Sequence, residues 1–338
     1  MSAVDLSQNN TSNGSGRLSF MRRLSPPVLA LILAVILFFA GGLVNPNFVS
    51  VTSAINVVRL AAFLGIIAAG QTLVILSGGE GIDLSAGGVV TLAAILVFRL
   101  TNGENNMVPV ALLVALSAGA IIGFVNGIGV TLIGIPPLVM TLGMAGVVSG
   151  TILVVTGGQL SGKTPEIMAQ WISDPLVGGI PGVVFFWLLL SGVMWVVLER
   201  STYGRQLFAI GVNRLAARLS GVRVQRVVIL TFTLSGLLSA LGGFMLLGFS
   251  QIVFLNLGDP YLFPAIAAVA VGGTLLSGGK GSYWGTMSGA LVLTLIDSLL
   301  TAMRARIPEL GEAHKLIILG VILVILLSFY GRQRSVRQ

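Results

Sequence analysis

Long apolar runs, interrupted by glycine, proline and short polar stretches, occupy almost the whole chain. A helix needs roughly 20 apolar residues to cross the hydrocarbon core of a bilayer. On that measure ten candidate spans are read at about residues 26–44, 52–77, 84–101, 108–130, 137–156, 182–198, 226–249, 262–276, 283–303 and 315–330, and eight to ten is the range the pattern supports. The 262–276 segment is the shortest. The second span is expected to be broken, because Asn56, Arg59 and Gln71 sit poorly in lipid unless they face protein or water. The expected fold is all-α and polytopic, with two pseudo-symmetric halves at about 26–198 and 226–330 joined by a cytoplasmic loop at 199–226.

One short pattern occurs twice. Ser77-Gly78-Gly79-Glu80-Gly81 follows one apolar run, and Ser277-Gly278-Gly279-Lys280-Gly281 follows another. Glycine permits positive φ and close backbone approach, so each stretch reads as a break at a membrane surface that serves as gate or hinge. Glu80 and Lys280 hold equivalent places with opposite charge, which suggests an ion pair across the pseudo-twofold.

Composition fixes the environment. Hydrophobic residues make up 55% of the chain and charged residues 9%, more apolar surface than a soluble core could hide. There is no cysteine and a single histidine, His314, which excludes disulfides, thiolate chemistry and a multi-histidine metal site. A net charge of +8 does not indicate nucleic acid, since the basic residues cluster beside spans without aromatic residues between them. They follow topology instead. Arg17, Arg22, Arg23, Arg200, Arg205, Arg214, Arg218, Arg223, Arg226, Lys280, Arg332, Arg334 and Arg337 fall on one side, against Arg99, Lys163, Arg304, Arg306 and Lys315 on the other. The positive-inside rule then places both termini in the cytoplasm. Residues 1–24 read as a disordered cytoplasmic tail before an uncleaved first helix, and 332–338 as a second tail.

The 199–226 loop is too polar to span, yet part of it is periodic. Asn213 is placed to cap a helix from Arg214 to Ser220, and Gly221 to end it. Leu215, Ala216 and Leu219 share one face of that helix, with Arg214 and Arg218 beside them. On charge alone this could be a loop that binds lipid headgroups; its apolar face is what another protein could grip.

Those residues carry a resemblance. Gly211, Asn213, Ala216, Ala217, Ser220 and Gly221, with Tyr203-Gly204-Arg205 upstream, resemble the cytoplasmic coupling segment of the sugar-type ABC importer permeases, the ribose, galactose and arabinose transport permease family. Three further blocks resemble that family in order: Gly81-Ile82-Asp83-Leu84-Ser85 with Gly87, Pro136-Pro137-Leu138-Val139-Met140-Thr141-Leu142-Gly143, and Ala265 to Ser282 with its glycines. Two departures stand out: Tyr261-Leu262-Phe263 lacks an acidic residue that many relatives carry, and Asp297 stands where many have Asn.

The resemblance implies a transport subunit of the bacterial inner membrane, with no catalytic residue and no metal or cofactor of its own. ATP and Mg²⁺ would be used by a separate cytoplasmic ABC ATPase. A periplasmic sugar-binding protein would deliver a monosaccharide or related polyol, and a second permease subunit, identical or different, would complete the pathway. Tyr203, Gly204, Arg205, Gly211, Asn213, Ala216, Ala217, Ser220 and Gly221 would couple to the ATPase.

From the residues themselves, Asn56, Gln71, Asn126, Thr141 and Asp297 are candidates to meet solute, or else to bond helix to helix. Gly78, Gly79, Gly81, Asp83, Gly278, Gly279 and Gly281 are candidates for gate and hinge. Asp83 is expected to cap the helix that starts near Leu84 to Gly87, or to meet a basic group when the gate closes. Arg59 could neutralise Asp297 if the second and ninth spans meet; otherwise Asp297 lies hydrated near the outer surface. Competing functions are an ion-coupled transporter or channel that uses Asp297 and Arg59, and an ABC permease for branched-chain amino acids or nucleosides.

Overall fold

Prolines and short polar side chains mark where helices begin. Pro26 opens α1 (Pro26–Val44) and Pro137 opens α5 (Pro137–Thr156), where a missing N–H costs nothing. Ser50 caps α2 (Val51–Leu76) by accepting the Ser53 N–H at 3.2 Å. A computed structural model describes residues 25–307, 309 and 311–332. The remaining helices are α3 (Ala86–Thr101), α4 (Val108–Ile128, continued by a π turn at Gly129–Ile133), α6 (Glu166–Ile172), α7 (Gly182–Trp195, continued by a π turn at Val196–Arg200), α8 (Thr202–Val212), α9 (Arg214–Leu219), α10 (Val224–Ser250), α11 (Asp259–Val271), α12 (Tyr283–Arg306) and α13 (Glu312–Arg332). A two-stranded antiparallel hairpin, β1 (Pro175–Val177) and β2 (Ile180–Pro181), precedes α7. The 1–24 tail and residues 333–338 lie outside the described residues.

Among the described residues seven helices are long and apolar enough to cross a bilayer, and three apolar helices, in α3, α11 and α13, are shorter. Each of the ten predicted segments overlaps one of them, and seven have the length of a full crossing. The 262–276 segment needs correction: α11 begins at Asp259 and stops at Val271, and the chain then turns through Gly272 and Gly273. The second span is an unbroken 26-residue helix, because its lower half is fully buried and Gln71 faces protein.

Burial separates a central layer from a rim. Over its 18-residue apolar stretch α10 is 67% buried, against 17% for α1 and for α5, whose exposed leucines, valines and isoleucines suit contact with lipid. Helix α4 approaches α10 closely because Gly119, Gly123 and Gly127 recur every fourth residue. A β-carbon on these would strike the Gly236 carbonyl, the Phe232 carbonyl and the Ile229 backbone. In a membrane, where water drives no helix association, such backbone contact supplies the dispersion energy that holds helices together.

Helix lengths run in step. Helices α2 to α5 have 26, 16, 21 and 20 residues, and α10 to α13 have 27, 13, 24 and 21. Packing runs in step as well. Helix α10 lies on α4 and α3 as α2 lies on α12 and α11; α3 meets α4 and α5 as α11 meets α12 and α13; and α2 and α10 touch at the centre. Helix α2 runs toward the end where 77–81, α8 and 277–281 gather, whereas α10 runs away from it. The correspondence is therefore inverted. It gives the two glycine-rich breaks different places, one after the first helix of its group and one after the second, and brings them face to face.

A candidate coupling site at the glycine-rich breaks

Three segments distant in sequence converge at one end of the bundle. Gly78, Gly79 and Glu80 have φ of +68°, +63° and +59°, so the chain leaves α2 in a left-handed turn. Glycine takes that turn at no steric cost, but Glu80 bears strain of the kind found at functional sites. The second break sits directly on it: a β-carbon on Gly278 would collide with the Gly78 Cα, and the Gly279 N–H donates to the Leu76 carbonyl at 3.0 Å. Gly211, in the last turn of α8, closes the third side, since a β-carbon there would strike the Leu76 carbonyl and the Gly279 nitrogen.

The short helix beyond it is locally encoded as expected. The Asn213 side chain accepts the Ala216 N–H at 3.0 Å, and Gly221, at φ +84°, ends the turn with its N–H on the Arg218 carbonyl. Ala217 is buried, while Leu215 (66%) and Leu219 (81%) stand in solvent beside exposed Arg218. Arg214 turns the other way. Its Nη2 donates to the Gly78 carbonyl at 3.1 Å, its guanidinium covers Gly79, and its buried Nε has no partner. Burial pulls its pKa below the ordinary arginine value. Upstream, Ser201 caps α8 on the Gly204 N–H at 3.0 Å, and Arg205 reaches the Arg200 carbonyl at 3.3 Å. The Tyr203 hydroxyl meets Thr231 on α10 at 2.9 Å, and burial pushes its pKa up to about 12.

The first break continues inward to a buried carboxylate. Asp83 Oδ1 accepts the Ser85 N–H at 3.0 Å and the Ser85 hydroxyl at 2.6 Å, and Oδ2 accepts the Ser235 hydroxyl of α10 at 2.8 Å. Asp83 is not the cap of α3: its carboxylate binds Ser85, the residue at the N-cap position, and hydroxyls rather than a basic group are its side-chain partners. Gln71 of α2 donates to the Asp83 carbonyl at 2.5 Å, and Asn126 of α4 donates to Ser85 Oγ at 2.9 Å. Thr141 of α5 is 3.0 Å from the Ile82 carbonyl. Three of the five proposed solute residues are thus brought together, buried, around residues 82–85.

The other two lie elsewhere. Asn56 is exposed at the far half of α2. Asp297 lies on α12 toward the opposite end, where its Oδ1 meets Lys315 Nζ at 2.9 Å. Arg59 does not neutralise it, because its guanidinium lies over the Phe249 ring, 5.0 Å from the centroid. Glu80 and Lys280 also need correction: both are exposed, and among the described residues no ion pair joins them. The left-handed turn and the Leu275–Lys280 backbone bond of 2.9 Å fix each in its own break.

Sequence reading missed two features. The three glycines of α4 were legible in their spacing. Gly157-Gly158-Gln159-Leu160-Ser161-Gly162-Lys163-Thr164 has the letter spacing of a nucleotide phosphate loop. The structure shows a match of letters only: the stretch follows helix α5 rather than a strand, enters the seven-residue α6 through Pro165, and spends the Thr164 hydroxyl on the Gln251 carbonyl at 2.8 Å.

With this geometry in view, the chain matches over residues 53–327 the family described as branched-chain amino acid transport system / permease component. The chain belongs to this ABC importer permease family. Among similar proteins are the autoinducer 2 import system permease proteins LsrC of Escherichia coli O9:H4 (strain HS) and of Shigella flexneri, each 35% identical over 309 residues, or 91% of this chain and 87% of the relative. LsrC of Salmonella choleraesuis (strain SC-B67) is 36% identical over 311 residues, 91% and 86% of the two chains. No solved structure matches. The permease is accordingly a multi-pass membrane transport subunit and not an enzyme, and ATP hydrolysis belongs to a separate subunit.

Proposed function

We propose that the permease imports a neutral, hydroxyl-rich solute of monosaccharide size, and that a cytoplasmic ATPase drives it by gripping α9. The observation that carries this reading is the placement of Gly211 and Arg214. Helix α9, which offers Leu215 and Leu219 to a partner, follows directly on α8, whose Gly211 is wedged as bare backbone against both breaks, and α9 itself holds the first break through Arg214. A push on α9 reaches residues 78–85 through the Arg214 side chain and through the backbone contact of Gly211 in α8, and from there α2, α4, α5 and α10 through the bonds to Ile82, Asp83 and Ser85. The breaks and α9 then face the cytoplasm of a bacterial cell, as the arginines predict. The opposite end receives the periplasmic binding protein, and a second permease subunit completes the pathway. ATP and Mg²⁺ act in the partner ATPase.

Sugar-type solutes are supported by the four ordered sequence blocks and by relatives named for autoinducer 2 import. The family description favours a second reading, branched-chain amino acids. Uptake into energised membrane vesicles from the native host separates the two. ATP-dependent accumulation of ribose, galactose or arabinose, lost together with the ATPase, supports the first reading, and accumulation of leucine alone replaces it with the second. Accumulation that persists without the ATPase and follows an ion gradient would overturn both.

A further inference from the structure

A cavity of about 750 Å³ opens near the end of the bundle opposite the breaks, enclosed by α2, α11, α12 and α13. Its polar wall consists of Asn256, Asp259, Tyr261, Thr294, Asp297 and Lys315, and the rest is apolar, with leucines of α2, α12 and α13 joined by phenylalanine and proline of α11 and the segment before it. The Asp297 side chain remains 43% exposed while paired with Lys315, so its carboxylate keeps acceptor capacity toward the space.

The inverted correspondence makes this position informative. The starts of α11 and α13 and the far half of α12 build this corner, just as the starts of α3 and α5 and the far half of α4 build the corner that holds Asp83, Asn126 and Thr141. That second corner is closed, with those three residues at 1% exposure or less and bonded to their neighbours. One sequence architecture thus presents the same corner twice, open at one end and shut at the other. Secondary transporters built on inverted repeats bind solute at the interface between the repeats, and this cavity lies between α2 of the first group and α11 to α13 of the second.

Resting on the solute class proposed above, we propose that the open corner is a solute site for a neutral, hydroxyl-rich molecule of monosaccharide size, with the Asp297 carboxylate as its chief acceptor. The charges select this class. Two carboxylates and one ammonium disfavour an anion. Asp259 in the first turn of α11 already occupies the end of the helix that would bind the carboxylate of an amino acid. A pair of sugar hydroxyls can donate to Asp297, and the apolar face of the ring can lie on the leucines.

Because the chain has no cysteine, Asn256→Cys places a single thiol at the cavity wall. In vesicles carrying the assembled importer, a membrane-impermeant maleimide added from the binding-protein side should label it. Whichever of ribose, galactose or arabinose the wild type accumulates, at millimolar concentration, should slow labelling severalfold, and leucine should not. Adding Asp297→Ala should abolish that protection, and the isosteric Asp297→Asn, which keeps the fold, should weaken it. If a sugar is accumulated with ATP but leaves the labelling rate unchanged, the site is overturned while the import reading stands. If leucine is accumulated and no sugar is, the solute class and the site fall together.

Discussion

Arg214 holds the carbonyl of Gly78 at 3.1 Å across 136 positions of sequence, the one side-chain bond described between the exposed α9 helix and the first break. It is a charge-assisted bond from a half-buried guanidinium. Coupling should therefore depend on it more than assembly does.

Arg214→Ala should leave ATPase binding through Leu215 and Leu219 in place while solute transport falls about tenfold or more, the equivalent of losing roughly 1.5–3 kcal/mol. Arg214→Lys should recover part of the loss, since it keeps the charge without the planar fork. The ratio of ATP hydrolysed to solute moved, measured in reconstituted importer, distinguishes this from simple misassembly.

Leu215→Glu with Leu219→Glu should release the ATPase during co-purification and leave the thermal stability of the permease unchanged, because both side chains stand in solvent. Gly211→Val should do more, forcing α8 off both breaks and lowering stability. Gly146→Ala serves as the control, since a β-carbon there meets nothing within 4 Å.

Asp83→Asn should lower the melting temperature in detergent, at a cost of about 1–3 kcal/mol. Its single amide oxygen cannot accept from both Ser85 and Ser235, and its NH₂ group adds donors among groups that already donate.

Glu80→Gly should stabilise the permease by about 1 kcal/mol, the ordinary cost of a left-handed non-glycine residue. Charge exchange between Glu80 and Lys280 should show no mutual rescue in transport, since the two do not pair.

Whatever obeyed local rules was legible in the sequence. Apolar runs located the helices, and Asn213 and Gly221 bracketed α9 correctly because caps act within three or four residues. Partners across the bundle were not legible. Ser235 lies 152 positions from Asp83, and only the rotation of α10 brings its hydroxyl to the carboxylate. The same reason explains Arg59. Nothing in its own span says whether its guanidinium meets the Asp297 carboxylate or the Phe249 ring, and the register of α2 against its neighbours decides for the ring. The likeness of the two glycine-rich breaks was real in letters and misleading in symmetry, because both sequences answer a shared need for closeness.

Gly78 and Gly278 meet as bare main chain. A joint of that kind offers evolution no handle: every substitution adds atoms where none fit, so its stiffness and reach cannot be adjusted residue by residue. Diversification for new cargo must happen at the other end of the molecule, while this fulcrum stays fixed.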